Sequence, residues 1–271
     1  MAETDTTIAL VSIGNTNIAV GKYDGGTVSH AAGMPADKPD ELVAALDEMN
    51  ADAVALSSVS AKAARAIADT IAKTNGRRVY RVGEDIQIPV RHSLSDEAIA
   101  KTGQDRLLCA VGAFHTLEQA VVVVDAGTAV TVDFVDGQGV FHGGAIAPGA
   151  SMQLRAMSEG TDALPMLSPE KPHGPSIGTD TFGAMQRGVH YGIRGLVRLL
   201  TEQYAVEYEG YPLVIATGGD ASMLFADEEL VDRIVPDLVL RGLAKCCAEA
   251  LDEGATDAGG GQPRLSGPSD N

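Results

Sequence analysis

Four consecutive valines, Val121-Val122-Val123-Val124, run into Asp125-Ala126-Gly127-Thr128 and then into an alternating stretch. In that stretch Val130, Val132 and Phe134 stand against Thr131 and Asp133. The unbroken apolar run predicts a strand buried on both faces, and the alternation predicts a second strand after a tight turn. An acid at the end of a buried strand is costly unless it meets a cation or several donors. Gly127 permits close approach of a ligand to the backbone, and Thr128 offers a hydroxyl and an amide. The same pattern occurs at residues 8–23, where an apolar strand enters Gly14-Asn15-Thr16-Asn17 and a second strand follows. Laying Ser12 on Asp125 puts Gly14 on Gly127, Asn15 on Thr128 and Ile18 on Thr131, an offset of 113 residues. This is either an internal duplication or a chance likeness of two Val-rich hairpins.

From the first hairpin to residue 82 the pattern reads β-β-(β)-α-β-α-β, an α/β layer order. Pro39 and the acids after it open a helix with Leu42, Val43, Leu46 and Met49 on one face. Residues 53–56 form a buried strand. Ser60 caps a helix that Asn75-Gly76 ends, and residues 78–82 form a short strand. Residues 86–100 are irregular, and a helix begins near Gly103-Gln104-Asp105-Arg106. Further on come a short helix at 152–158, a proline-punctuated loop at 164–175 and a long helix from Phe182 capped by Thr179-Asp180-Thr181. Gly183, Gly188, Gly192 and Gly195 lie at helical spacing on it, as a packing face within the chain or between two copies. A strand at 213–217 enters Gly218-Gly219, and residues 238–251 form a closing helix. The expected organisation is one domain at 1–117, a second at 118–253, and a disordered Gly/Pro/Ser/Asp tail at 254–271.

Charge narrows the function classes. Thirty-seven acids stand against 20 Lys plus Arg, a formal charge of −17. That disfavours binding to nucleic acid or to an anionic membrane, both of which rely on Lys and Arg. Cys109, Cys246 and Cys247 form neither a disulfide framework nor zinc spacing, which suits reduced thiols in the cytoplasm. The polar start predicts no signal peptide, and no apolar run reaches the length of a membrane helix. A Walker-type Gly-Lys-Ser/Thr is absent.

The chemistry-bearing stretch between the hairpins is Gly103-Gln104-Asp105-Arg106. A helix N-terminus holds anions, Arg provides a fork for carboxylate or phosphate, and Asp105 could serve as a base for a hydroxyl. The alternative is an acid favoured only by the helix dipole beside a solvated arginine. His142-Gly143-Gly144-Ala145-Ile146-Ala147-Pro148-Gly149 implies a backbone pressed close to a ligand or to another strand.

Taken in order, Gly14-Asn15-Thr16, Gly103-Gln104-Asp105-Arg106, Asp125-Ala126-Gly127-Thr128-Ala129, Gly143 to Gly149, Ile177 to Thr181 and Thr217-Gly218-Gly219 resemble type III pantothenate kinases. Their superfamily is that of acetate kinase, sugar kinases, Hsp70 and actin. The resemblance implies two ribonuclease H-like domains of the actin-like ATPase superfamily and transfer of the ATP γ-phosphoryl group to the hydroxyl of pantothenate. That reaction is the first step of coenzyme A synthesis. It further implies that Ser12, Gly14, Asn15, Thr16 and Asn17 hold ATP, with Thr128 in contact with it. Gly103, Gln104, Asp105 and Arg106 would bind pantothenate, with Asp105 as the base. Asp125 would bind a monovalent cation, potassium or ammonium, and magnesium would accompany ATP. Thr181 would reach pantothenate across a homodimer. Two positions depart from the family pattern. Ser12 stands where an aspartate is usual, and Arg91-His92-Ser93-Leu94 stands where an aromatic residue is usual. The alternatives left open are a catalytically weak nucleotide- or pantothenate-binding accessory factor and a kinase for another small hydroxylated substrate.

Overall fold

The computed structural model of this chain describes residues 6–36 and 38–257. β1 (Ile8–Ile13) is antiparallel to β2 (Asn17–Asp24), which pairs with β3 (Thr27–Pro35). α1 (Pro39–Met49), β4 (Ala53–Ser58), α2 (Ala61–Asn75) and β5 (Arg78–Arg81) follow, giving the sheet order β3-β2-β1-β4-β5. Ser60 Oγ accepts the Ala63 N–H at 3.3 Å, and Gly76 ends α2 at φ 64°, so both predicted stops of this helix are present. Residues 86–100, expected to be irregular, contain β6 (Arg91–His92) and α3 (Asp96–Ala100). Both are too short to give a periodic signal, although Ser95 caps α3 by accepting the Ala98 N–H.

α4 (Gln104–Leu117) leads to β7 (Val121–Ala126), β8 (Ala129–Val135) and β9 (Val140–Pro148). Then come α5 (Ala150–Glu159), α6 (Thr181–Tyr208), β10 (Leu213–Thr217), α7 (Ala221–Phe225), β11 (Arg233–Ile234) and α8 (Leu238–Asp257). The second sheet has the order β11-β10-β7-β8-β9-β6, so the first sheet's order recurs with one edge strand added. In each sheet the first strand has an antiparallel hairpin partner on one side and a parallel strand on the other.

The repeat is therefore structural, but the constant offset is not. Ile13 pairs with Ile18 across the first turn, whereas Ala126 pairs with Val130 across the second. The second turn is one residue shorter. Ile18 corresponds to Val130 and not to Thr131 as the sequence overlay has it. A one-residue slip reverses the faces of a strand, and Ile18 and Val130 are both buried.

Alternate residues of β1 face opposite layers. Ala9, Val11 and Ile13 pack with Leu42 and Leu46 of α1 and Ile71 of α2. Ile8 and Leu10 pack with Leu108 of α4 and Leu240, Leu243 and Cys247 of α8. α8 thus belongs to the first unit, which comprises Met1–Arg91, Ser95–Thr116 and Asp237–Asn271. The expected second domain, 118–253, included this helix. The cause lies in a helix crossing: a Cβ at Gly112 would stand 2.6 Å from the Leu238 carbonyl oxygen, and one at Gly242 would strike the Leu108 backbone. α8 also continues through residues 254–257 of the expected tail, and the remainder of that tail lies outside the described residues.

The second unit, His92–Leu94 with Leu117–Pro236, packs Val122, Val124, Val130 and Val132 against Leu154, Val189, Ile193 and Phe225. α6 is tied to the segment after α7 by charge. Arg194 Nε donates to Glu228 Oε2 at 2.7 Å, Arg198 donates to Glu228 Oε1, and the Glu228 side chain is 10% exposed. Burial alone would raise its carboxyl, but Arg194 and Arg198 outweigh burial and hold it below the usual glutamate value. On α6, Gly183 is buried while Gly188, Gly192 and Gly195 meet nothing within 4 Å. Among the described residues no helix is long and apolar enough to cross a membrane.

Because the folded carboxyl of Glu228 is depressed, its contribution is present above the unfolded glutamate value of about 4.3 and is lost as pH falls through the folded value. Glu228→Gln is expected to cost about 1–3 kcal/mol near neutrality. It should also flatten the acid limb of stability against pH. Denaturant melts of both proteins across the acid range check this.

Candidate active site

The two turns sit at the carboxyl ends of central strands, the position where open α/β sheets bind ligands. In the first unit Gly14 N–H donates to the Asn17 carbonyl at 2.9 Å and closes the turn, leaving Asn15, Thr16 and Asn17 exposed. The Thr16 carbonyl accepts the Ala36 N–H at 2.9 Å, and the Ile13 carbonyl accepts the Val59 N–H at 3.1 Å, so the turn is held from β3 and from the end of β4. Ser12 is half-buried, and Ser57 Oγ donates to its Oγ at 3.2 Å. Parallel pairing puts these two serines side by side, and Ser57 is 2% exposed. Sequence reading missed Ser57, because only the strand register identifies it.

Asp105 and Arg106 stand in the first turn of α4, and both are half-buried. Asp105 Oδ1 accepts the Arg106 N–H at 2.9 Å, which satisfies one of the orphan amides of the helix start. Arg106 is thus not the fully solvated arginine of the bland alternative. Gln104 Nε2 donates to the Val82 carbonyl at 2.9 Å, and Gly83, at φ 85°, leaves room for that side chain. A cavity of about 270 Å³ opens beside this segment, lined in part by Leu56, Ser58, Val59, Arg81, Lys101 and Gly103.

In the second unit Asp125 lies half-buried at the end of β7, next to Thr217 of β10. Gly127 N–H donates to the Ala129 carbonyl at 3.0 Å, and Gly149 N–H donates to the Thr128 carbonyl at 3.1 Å. A Cβ at Gly149 would overlap the Gly127 oxygen and lie 2.7 Å from that of Thr128. The close approach foreseen at 143–149 is therefore to backbone: Gly149 underlies the turn, and Gly144 presses on Val132 and Asp133 of β8. Gly218, at φ 92°, passes close to the Ala126 carbonyl and the Asp125 carboxylate. Asp220 N–H donates to the Ala126 carbonyl at 2.9 Å, and burial raises its carboxyl above the usual aspartate value. Thr181 is exposed at the start of α6, where Asp180 Oδ1 accepts the Gly183 N–H at 2.7 Å.

Asp125 and the carbonyl beside it offer hard oxygen ligands. No group of three or more His, Cys, Asp or Glu gathers among the described residues. Such a donor set suits a cation that draws its remaining ligands from water and phosphate, as magnesium does with a nucleotide.

Two units of ribonuclease H-like sheet order define an actin-like ATPase fold. A solved Campylobacter jejuni protein described as a Baf family transcriptional activator superposes with TM-score 0.57 at 20% identity, covering 89% of this chain and 98% of that one. MreB 5 of Spiroplasma citri bound to AMPPNP superposes with TM-score 0.51 at 12% identity, covering 93% and 98%. These two establish the fold alone. The sequence profile of the type III pantothenate kinase family matches residues 8–203. The type III pantothenate kinase of Syntrophotalea carbinolica is 33% identical over 251 residues, 87% of this chain and 96% of that protein. That of Phenylobacterium zucineum is 37% identical over 164 residues, 60% of this chain and 62% of the relative. With profile and full-length relative in agreement, this chain belongs to the type III pantothenate kinase family.

Gly149→Ala is expected to destabilise the second unit by about 1–3 kcal/mol, the range for overpacking, because the added methyl meets main chain and not a movable side chain. Gly33→Ala, where the space is open, serves as the control and should melt within about 0.5 kcal/mol of the parent or above it. Equal melting of Gly149→Ala and the parent would show the turn to be free to shift.

Proposed function

We propose that this protein transfers the γ-phosphoryl group of ATP to the primary hydroxyl of pantothenate, the first step of coenzyme A synthesis. The observation that carries the reading is the family match across residues 8–203, which includes Gly103-Gln104-Asp105-Arg106 intact at the head of α4. Phosphoryl transfer asks a protein for positioning and charge neutralisation more than for covalent chemistry. Ser12, Gly14, Asn15, Thr16 and Asn17 supply hydroxyls, amides and a flexible turn for the ATP phosphates, and Thr128 supplies a further contact to ATP. Gly103, Gln104 and Arg106 hold pantothenate, Arg106 as its anchor. Asp105 accepts the hydroxyl proton as the substrate oxygen bonds to the γ-phosphorus and the bond to the β-phosphate oxygen breaks. Its Oδ1 is engaged by the Arg106 amide, so Oδ2 is the oxygen assigned to that proton.

Asp125 is the residue for a monovalent cation, potassium or ammonium. Magnesium, when bound with ATP, supplies neutralisation of phosphate charge. Ser12 brings no charge to its turn, and the Ser57 hydroxyl takes up part of its hydrogen-bonding capacity. Magnesium in this chain thus leans on the phosphates more than it would beside an aspartate.

The protein acts as a homodimer in the cytoplasm. Support for the dimer comes from α6, where Gly188, Tyr191, Gly192, Gly195 and Leu199 are all exposed. Thr181, at the start of that helix, is assigned to pantothenate of the other subunit.

ADP release coupled to NADH oxidation tests the reading, with pantothenate, magnesium and potassium present. Asp105→Asn should lower kcat by about 10²–10⁴-fold, the usual contribution of a general base, while ATP binding is retained. Unchanged turnover would remove Asp105 as base, and a parent protein with no pantothenate-dependent turnover would remove the kinase reading. Ser12→Asp should lower the magnesium concentration needed for half-maximal rate, read from a magnesium titration at fixed ATP. An unchanged titration would mean that Ser12 lies outside the metal's reach.

A further inference from the structure

One ordered group of polar side chains in the second unit takes no part in the roles assigned above. The segment His92–Leu94 runs beside β9, with Ser93 N–H donating to the Phe141 carbonyl at 3.1 Å. The next residue of β9, His142, places Nδ1 3.0 Å from Ser93 Oγ and Nε2 2.9 Å from Asp136 Oδ2. Asp136 Oδ1 also accepts the Gln138 N–H at 2.8 Å and the Val140 N–H at 3.0 Å. Burial would raise this carboxyl, but the hydrogen bonds from His142, Val140 and Gln138 outweigh burial and hold it below the usual aspartate value.

In the tautomer that carries its proton on Nε2, toward the Asp136 carboxylate, Nδ1 has a lone pair and the Ser93 hydroxyl donates to it. The ring plane is fixed by stacking on Phe134, with centroids 5.6 Å apart and planes at 28°. Ser93 is exposed and the His142 side chain is 38% exposed, so a small molecule can reach the hydroxyl oxygen. A hydroxyl on a base that a third group orients is the arrangement that activates a serine nucleophile, whatever the fold. The two ring nitrogens are exchanged here relative to the serine protease triad, a change that keeps the order hydroxyl, base, acid. No sequence motif signals it, because Ser93 lies 43 residues before Asp136 and 49 before His142.

We propose that Ser93, His142 and Asp136 form a second reactive centre, in which Ser93 takes the acyl group of small activated esters. Ser93 Oγ bonds to the carbonyl carbon while its proton passes to His142 Nδ1. The carbon–oxygen bond to the leaving group then breaks, and the leaving group departs as the alcohol with that proton or as a stable phenolate, in which case His142 Nδ1 gives the proton to solvent. Water, deprotonated by the same nitrogen, attacks the acyl-serine, releases the carboxylic acid and restores the hydroxyl. The oxyanion faces solvent, so turnover is slow compared with an enclosed hydrolase.

p-Nitrophenyl acetate and the full chain test this, with nitrophenolate release as the rate and mass spectrometry locating the acetyl group. The acetyl group is expected on Ser93. Ser93→Ala and His142→Gln should each lower the protein-dependent rate by about 10²-fold or more. Pantothenate-dependent ADP release and the melting transition of both variants report whether they are folded. If that kinase activity is absent from the parent too, melting alone serves, so the outcome does not depend on the kinase reading. Two results overturn the proposal. One is acetyl on lysines only, with Ser93→Ala as fast as the parent, which makes the group a fastening of residues 92–94 onto β9. The other is loss of rate in Ser93→Ala with none in His142→Gln, which removes His142 as the base.

Discussion

A buried central strand can end in a ligand-holding turn only if the chain beside the turn carries no side chain there. Gly149 under the Thr128 turn and Gly218 beside Asp125 meet that condition in the second unit. The neighbours on either side follow from it. The Thr128 carbonyl is taken by Gly149 N–H and the Ala126 carbonyl by Asp220 N–H, so the turn's own groups are fixed from below. In a protein of net charge −17 these turns carry no lysine, and fixed backbone dipoles are what they present to a ligand.

The two halves solve the same problem with different charge. The second turn keeps its acid, Asp125. The first has Ser12 hydrogen-bonded to the buried Ser57, a neutral pair where the second turn has a carboxylate. A neutral pair is far cheaper to bury than an ion. Asp105, the proposed base, stands at the head of α4. Leu107 to Ala113 are buried without a break, so the helix that carries Asp105 and Arg106 is set into the core one residue beyond them.

Asp105 shows how a bland and a functional reading of one residue can both hold. Its carboxylate does cap a backbone amide in the first turn of a helix, as a dipole-favoured acid would. The same bond orients the carboxylate, so the capping role does not exclude the proposed role as base. The glycine-lined helix resolves differently. Gly183 packs within the chain beside Asp180 and Arg187, while Gly188, Gly192 and Gly195 face open space. One spacing pattern thus covers two physical roles.

The amino-acid sequence by itself determined what a few neighbouring residues decide. The valine run and its alternating partner specified β7 and β8, Ser60 and Gly76 specified the ends of α2, and the order of layers through β5 followed from periodicity. The ordered motifs also specified the family. Tertiary structure alone decided what depends on distant parts of the chain. It decided that the second turn is one residue shorter than the first, because register is set by which side chains the sheet buries. It placed α8 on the first sheet, because Gly112 and Gly242 permit a close crossing of helices more than a hundred residues apart. It brought Ser57 to Ser12 and Ser93 to His142 through strand pairing. Pairing partners are not written in local pattern, since any strand of suitable period offers the same backbone groups and only the packed core selects among them.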